Sequence, residues 1–237
     1  MSDDRLYFRQ LLSGRDFAIG DPMATQMVNF AYLIGDRQTH QALVVDPAYN
    51  VNDLLAIAGN DGMEVVGALV THHHPDHVGG SFMGVSVEGI AELLARRSVP
   101  VHANDAEVAS ILTTTGVSAT DVVGHAGGDK VEVGAVSVQL VHTPGHTPGS
   151  QCFLVGPMLV SGDTLFLEGC GRTDLPGSDP EEMYHSLRRL AELPDGTAVF
   201  PGHRYSAPSS ATIEAVRDMN MVFKPTSEAQ WLAMFGR

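Results

Sequence analysis

The stretch "THHHPDH", residues 71–77, puts four histidines and an aspartate directly after the apolar run "EVVGALVTH" (64–72). That run has the pattern of a buried strand. Burying so many imidazoles beside a carboxylate without metal or partners is costly, so the chain must fold in a way that gathers ligands at a strand end. In extended backbone, residues two apart project to the same side and the one between points away. His72 and His74 can thus chelate one ion together, while His73 is the expected bystander. Pro75 stops the strand, and Asp76 and His77 follow in the turn, facing a second ion. Imidazole nitrogens with a carboxylate oxygen suit zinc, iron or manganese.

Four donors do not fill two ions, and the sequence offers more. "HTPGHTPGS" (142–150), "SGDTLF" (161–166) and "FPGH" (200–203) each set a ligand type just after an apolar run, where loops carry chemistry. The candidates are His142 or His146, Asp163 and His203. His40, His102, His125 and His185 read as ordinary surface or core histidines.

The remaining text of the chain restricts class and partners. Its 237 residues, 43% hydrophobic and 18% charged, suit one globular domain of two halves sharing an interior, about 1–125 and 126–237. "MSDDRLYFRQ" carries two early aspartates and no basic-then-apolar run, which argues against a signal peptide. No apolar stretch approaches the ~18 residues of a membrane span. Cys152 and Cys170 alone are too few for a disulfide framework and fit a reducing cytoplasm. A net charge of −14, from 14 basic and 28 acidic residues, repels nucleic acid and anionic membranes. A small-molecule substrate is the expected partner.

Period-2 runs predict strands at 30–36, 41–47, 64–72 and 99–105 in the first half. In the second they fall at 129–146 (two around Gly134), 150–166 (two) and 197–203. Helical spacing marks 50–62, 87–97 and 179–193, the last with Asp179 as N-cap and Pro180 at its first position. Two β-rich halves with helices fit two sheets packed face to face, helices outside. Near the C-terminus, Ser227 and Gln230 have the form of a capping box before Trp231, Met234 and Phe235. That helix either docks on the body or joins two copies as a homodimer.

The four motifs, in this order, closely resemble the metallo-β-lactamase superfamily over residues 25–205. The resemblance implies an α/β fold, a four-layer αββα sandwich of two mixed sheets with the metal site at one edge. Carried over, His72, His74 and His146 hold the first ion; Asp76, His77 and His203 hold the second; Asp163 bridges both. It assigns the second histidine of "HTPGH" as ligand and leaves His142 beside the site. Asp46, in "VVDP", matches a position that supports the site structurally.

A hydroxide bridging two divalent ions is a nucleophile at neutral pH, since metals depress the pKa of bound water from 15.7 to about 7. Asp76 is the candidate catalytic group that orients it and shuttles its proton. Dedicated β-lactamases usually lack a carboxylate at the bridging place. Oxygen-reducing diiron relatives need Glu where His74 sits, and nuclease relatives carry large inserted domains. The chain most resembles the glyoxalase II group, thioesterases acting on acyl-glutathione, and its persulfide dioxygenase relatives. The expected reaction is hydrolysis of a thioester or ester of the hydroxyacylglutathione type, with two zinc ions, or iron or manganese. The alternative is a glutathione persulfide dioxygenase with one Fe(II) on His72, His146 and Asp163, a facial triad. Lactone or β-lactam hydrolysis and a non-catalytic metal-binding protein rank lower.

Substrate contacts are read from three places. In "GCGRTDLPGSD" (169–179), Arg172 stands where glyoxalase II enzymes usually carry Lys, and either grips a substrate carboxylate or braces the loop by pairing with Asp174. Tyr205 matches a glyoxalase II tyrosine that contacts glutathione, while the helical C-terminal extension of that group is largely missing. Residues 80–98, with Phe82 and Met83 near their start, form either a wall or flap over the substrate or an elongated helix-loop.

Overall fold

The computed structural model describes residues 4–236, so residues 1–3 of the "MSDDRLYFRQ" stretch and Arg237 lie outside the described chain. Two six-stranded sheets carry the fold. The first runs in the order Leu6–Leu12, Phe30–Asp36, Gln41–Val45, Glu64–Leu69, Val101–Asn104, Val122–His125. Its first three strands pair antiparallel and its last three join in parallel. The second runs Ala211–Thr212, Ala198–Pro201, Met158–Gly162, Gln151–Val155, Val136–His142, Lys130–Val133, parallel only between Met158–Gly162 and Ala198–Pro201. Each sheet therefore draws on a different half of the sequence.

Side-chain alternation builds the layers. In "FAYLIGD" every residue is buried. Phe30, Tyr32 and Ile34 meet Val138, Leu140 and Phe153 between the sheets, while Ala31 and Leu33 face the helical side, with Leu54, Ile90 and Ile111. A strand covered on both faces reads as a continuous apolar run. Beyond the second sheet, Cys152, Leu159 and Val199 pack on Met183, Leu187 and Leu190 of the helix Pro180–Ala191. The result is the αββα sandwich. Asp179 caps that helix by accepting from the backbone N–H of Glu181 and Glu182, and Pro180 opens it.

The structure departs from the expected elements at several places. The strand expected over 64–72 ends at Leu69. Beyond it the Thr71 N–H donates to Asp46 and the Thr71 carbonyl accepts from Gln151 of the second sheet, so the ladder is replaced by other partners. The segment 87–97 divides into a strand, Val85–Val87, and a helix, Ile90–Arg96, because Glu92 reaches back to the Gly89 N–H and starts the helix there. In the C-terminal helix Glu228–Phe235, Ser227 accepts from the Gln230 N–H, but the Gln230 side chain turns to Thr226 instead of closing a reciprocal box.

Trp231 on that helix is 1% exposed and packs against Tyr184. Its replacement by Ala should cost about 3–5 kcal/mol, the usual loss for a buried aromatic. A denaturant midpoint unchanged by the substitution would show that the helix contributes nothing to the body. Among the described residues no helix is long and apolar enough to cross a membrane.

Candidate metal centre

Strand direction brings the donors together. Val136–His142, Met158–Gly162 and Ala198–Pro201 point the same way, since the first is separated from the second by two antiparallel steps and the third is parallel to it. Their C-terminal ends deliver His146, Asp163 and His203 to one edge. The end of Glu64–Leu69 in the first sheet delivers the histidine cluster to the same edge. Ligands commonly bind at the carboxyl ends of parallel strands. The backbone stays extended through His74 (φ −64°, ψ 142°), so the alternation survives past the strand end; Pro75 then opens the single turn Pro75–Val78, which carries Asp76 and His77. Gly162 sits at φ +49°, and a Cβ there would stand 2.8 Å from the Thr71 Cβ, so the turn presenting Asp163 needs glycine.

Three overlapping groups of donors result: His72, His74 and His146 at one side, Asp76, His77 and His203 at the other, and His72, His77 and Asp163 across them. His74 Nδ1 stands 3.1 Å from His72 Nε2 and 3.0 Å from His146 Nε2. In the second group His77 Nε2 lies 3.2 Å from His203 Nε2, and Asp76 Oδ2 lies 3.6 and 3.4 Å from those nitrogens. Asp163 lies between the first two groups. Its Oδ1 is 3.4 Å from His77, and its Oδ2 is 3.3 Å from His203 and 3.8 Å from His146.

Outer contacts fix which nitrogen faces inward. His146 Nδ1 donates to the Arg172 carbonyl, His203 Nδ1 to the Met27 carbonyl and His77 Nδ1 to Asp46. His72 Nδ1 donates to the Thr71 hydroxyl, which donates in turn to Asp46 Oδ2 at 2.6 Å. Four Nε2 atoms are thereby aimed at the centre, the arrangement that orients metal-bound histidines. Asp46 thus lies behind His77 and His72. His142 bonds the Pro148 carbonyl and stands apart from the seven donors.

These residues fit cations. The facing nitrogens stand 3.0–3.2 Å apart, and two nitrogens each ~2.1 Å from a tetrahedral zinc ion stand about 3.4 Å apart. Asp163 Oδ1 is buried with no hydrogen-bond partner, an orphan that a cation would satisfy. The electrostatics differ between the groups: the first resists protons, and the second gathers positive charge beside its carboxylates. Burial, then the neighbouring imidazoles led by His77, holds His72 far below the ordinary histidine range. Burial and His146 push His74 down to about 4. Burial also opposes charge on His77, but Asp76, Asp163 and Asp46 outweigh it and raise it to about 10. Burial would raise Asp163, and the positive imidazoles of His203 and His77 pull it well below the carboxylate range.

A cleft of about 600 Å³ opens over the centre. Phe82, Phe166, Leu175 and Met27 line it with Tyr205 and Arg172. Tyr205 stacks on His203 at 4.8 Å and 6°, and burial with the nearby Asp163 and Asp76 pushes its hydroxyl up to about 12. Arg172 faces the cleft, but Asp174 holds its guanidinium through two 2.8 Å bonds, so the bracing alternative is the one realised. Phe82 forms part of the wall. Met83 does not: it is 85% exposed at the tip of the hairpin Gly80–Phe82/Val85–Val87 and turns outward. That hairpin is pinned at its base, with Val87 buried and the Glu88 carbonyl accepting from the Tyr49 N–H.

Several contributors had no sequence signal. Asn29 donates to the Asp76 carbonyl and carboxylate and accepts from the Tyr49 hydroxyl. Glu107, 1% exposed, takes the His73 ring and backbone on one oxygen. Burial pushes its carboxyl up, but His73 and the Thr147 hydroxyl outweigh that and leave it lowered. Only the "THHHPDH" neighbourhood of Thr71 hinted at its part.

A profile of the metallo-beta-lactamase superfamily matches residues 24–203. The chain is similar to a probable polyketide biosynthesis zinc-dependent hydrolase, BaeB, of Bacillus velezensis, with 28% identity over 198 residues, 83% of this chain and 82% of that one. Identity to the hydroxyacylglutathione hydrolase of Yersinia pestis is 37% over 179 residues, 75% of this chain; the match spans 62% of that enzyme's length. The solved structure of ETHE1 from Myxococcus xanthus superposes with a TM-score of 0.79 at 28% identity, over 98% of this chain and 90% of that one.

Proposed function

We infer the reaction from one premise: this chain belongs to the metallo-beta-lactamase superfamily, in its glyoxalase II-like and persulfide dioxygenase-like branch. From it we propose a metal-dependent hydrolase acting on a small thioester or ester of the hydroxyacylglutathione type. The observation that carries this reading is the pair of three-donor groups meeting at Asp163. His72, His74 and His146 would hold one divalent ion, Asp76, His77 and His203 the other, with Asp163 shared. The zinc-dependent relative favours zinc, and iron or manganese suit the same donors. When bound, such a pair supplies Lewis acidity and lowers the pKa of a held water from 15.7 to about 7.

The chain's own groups do the rest. Asp76, whose Oδ2 faces His77 and His203 and is steadied by Asn29 at 3.2 Å, would take the proton of the attacking water on its other carboxylate oxygen and pass it to the leaving group. Phe82, Phe166 and Leu175 supply an apolar wall for the acyl portion and limit water access. Tyr205 and Arg172 stand at the cleft for the thiol portion, with Arg172 available to a substrate carboxylate only in exchange for Asp174.

A second reading has its own support. His146 Nε2 lies 3.8 Å from Asp163 Oδ2 with His72 alongside, two imidazoles and a carboxylate that suit one Fe(II) in a persulfide dioxygenase. Metal analysis of protein purified without added metal separates the two. Two zinc ions per chain with hydroxyacylglutathione hydrolysis is the expected result. One iron per chain, with oxygen uptake on glutathione persulfide, would replace the first reading by the second.

A further inference from the structure

We infer that Glu107 is a positioning residue for the metal centre. Its single buried carboxylate clamps the loop carrying His72 and His74 to the loop carrying His146, and so sets the spacing of the three imidazoles. The inference rests on the metal-centre reading above. Glu107 closes the short turn Asp105–Glu107 ahead of the helix Val108–Thr115 and touches none of the seven donors directly. It acts through their neighbours.

Each carboxylate oxygen serves one loop. Oε2 accepts from the His73 backbone N–H at 3.0 Å and from His73 Nδ1 at 2.5 Å. Oε1 accepts from the Thr147 hydroxyl at 2.5 Å and the Gly149 N–H at 2.8 Å. His73 sits between His72 and His74, and Thr147 follows His146, so every contact lies one residue or a few from a donor. The second loop comes from the other half of the chain. Gly149 is the close-approach point: a Cβ there would stand 2.5 Å from Glu107 Cγ. His73 therefore points away from the ions, as alternation requires, yet it is engaged rather than idle.

Four donors on one buried carboxylate make a strong, specific link, because charge-assisted hydrogen bonds are roughly twice as strong as neutral ones. The first donor group tolerates little drift, since a site loosened by about 1 Å loses its productive geometry. A carboxylate accepts from both sides at once. An amide of the same shape does not: in Glu107→Gln the NH₂ must face N–H groups of one loop or the N–H and hydroxyl of the other.

The test uses the full-length chain stripped of metal and titrated with Zn(II) against a chromophoric chelator. The Co(II) absorption spectrum and the thermal unfolding of the metal-free protein are recorded alongside. Glu107→Gln is expected to bind its first zinc at least about 10-fold more weakly than wild type, in line with losses on removing outer partners of metal ligands, and to shift the Co(II) bands. Thr147→Val should weaken binding in the same direction, and Thr147→Ser, which keeps the hydroxyl, should restore it. Wild-type affinity and spectrum in Glu107→Gln and Thr147→Val, with only a lowered metal-free Tm, would reduce Glu107 to a structural link and overturn the inference. Should Glu107→Gln not fold, the Thr147 pair decides by the same criteria. Failure of the wild-type chain to take up Zn(II) would overturn the metal-centre reading itself.

Discussion

Asp163→Asn protein should fold, lose metal and lose turnover by at least about 10³-fold, some 4 kcal/mol of transition-state stabilisation. Asp163 reaches both donor groups, with Oδ1 toward His77 and Oδ2 toward His203 and His146. The substitution preserves volume but replaces one acceptor oxygen by a donor. Among the described residues Oδ1 has no hydrogen-bond partner, so the chain loses no hydrogen bond there. Metal per chain and kcat measured on the same preparation check the claim. Two ions per chain with kcat within tenfold of wild type would remove Asp163 from its bridging role.

Loss of His203 has the second largest expected effect, and its size depends on the reaction. In a two-metal hydrolase, His203→Ala empties one position of the group formed with Asp76 and His77. It should cut hydrolysis by more than about 100-fold, beyond the usual cost of losing an outer partner. Binding at His72, His74 and His146 should persist. In a one-iron dioxygenase most iron binding and oxygen uptake would survive instead. Tyr205 stacks on the His203 ring and Phe166 meets it edge-on, so KM is expected to rise as well. A fall in kcat with both metals retained would assign His203 to substrate alignment.

Legibility followed distance along the chain. Strands such as Phe30–Asp36 and the capped helix Pro180–Ala191 announce themselves through periodicity and an Asp-Pro start, both local properties. The donors were readable because each follows an apolar run within a few residues. The end of the strand at Leu69 was not, because what stops it is Asp46 and Gln151, distant in sequence. Glu107 and Asn29 were illegible for the same reason: an isolated acid at a helix start and an isolated amide before a strand look ordinary until the fold sets them against His73 and Asp76. Met83 failed as a wall residue because positive φ values at Met83 and Gly84 turn the hairpin tip outward. Neighbouring residues in a tight turn need not share a face.

Position 172 divides its duties between main chain and side chain. The carbonyl is committed to His146 Nδ1 at 2.9 Å, and any residue provides a carbonyl. The guanidinium, 68% exposed, is tethered to Asp174, and the residue lines the cleft. Mutational drift at this position can therefore change which substrates enter while the hydrogen bond that orients His146 is inherited unchanged. The loop 169–175 is a place where descendants of this enzyme can acquire new preferences without first rebuilding the centre that serves them.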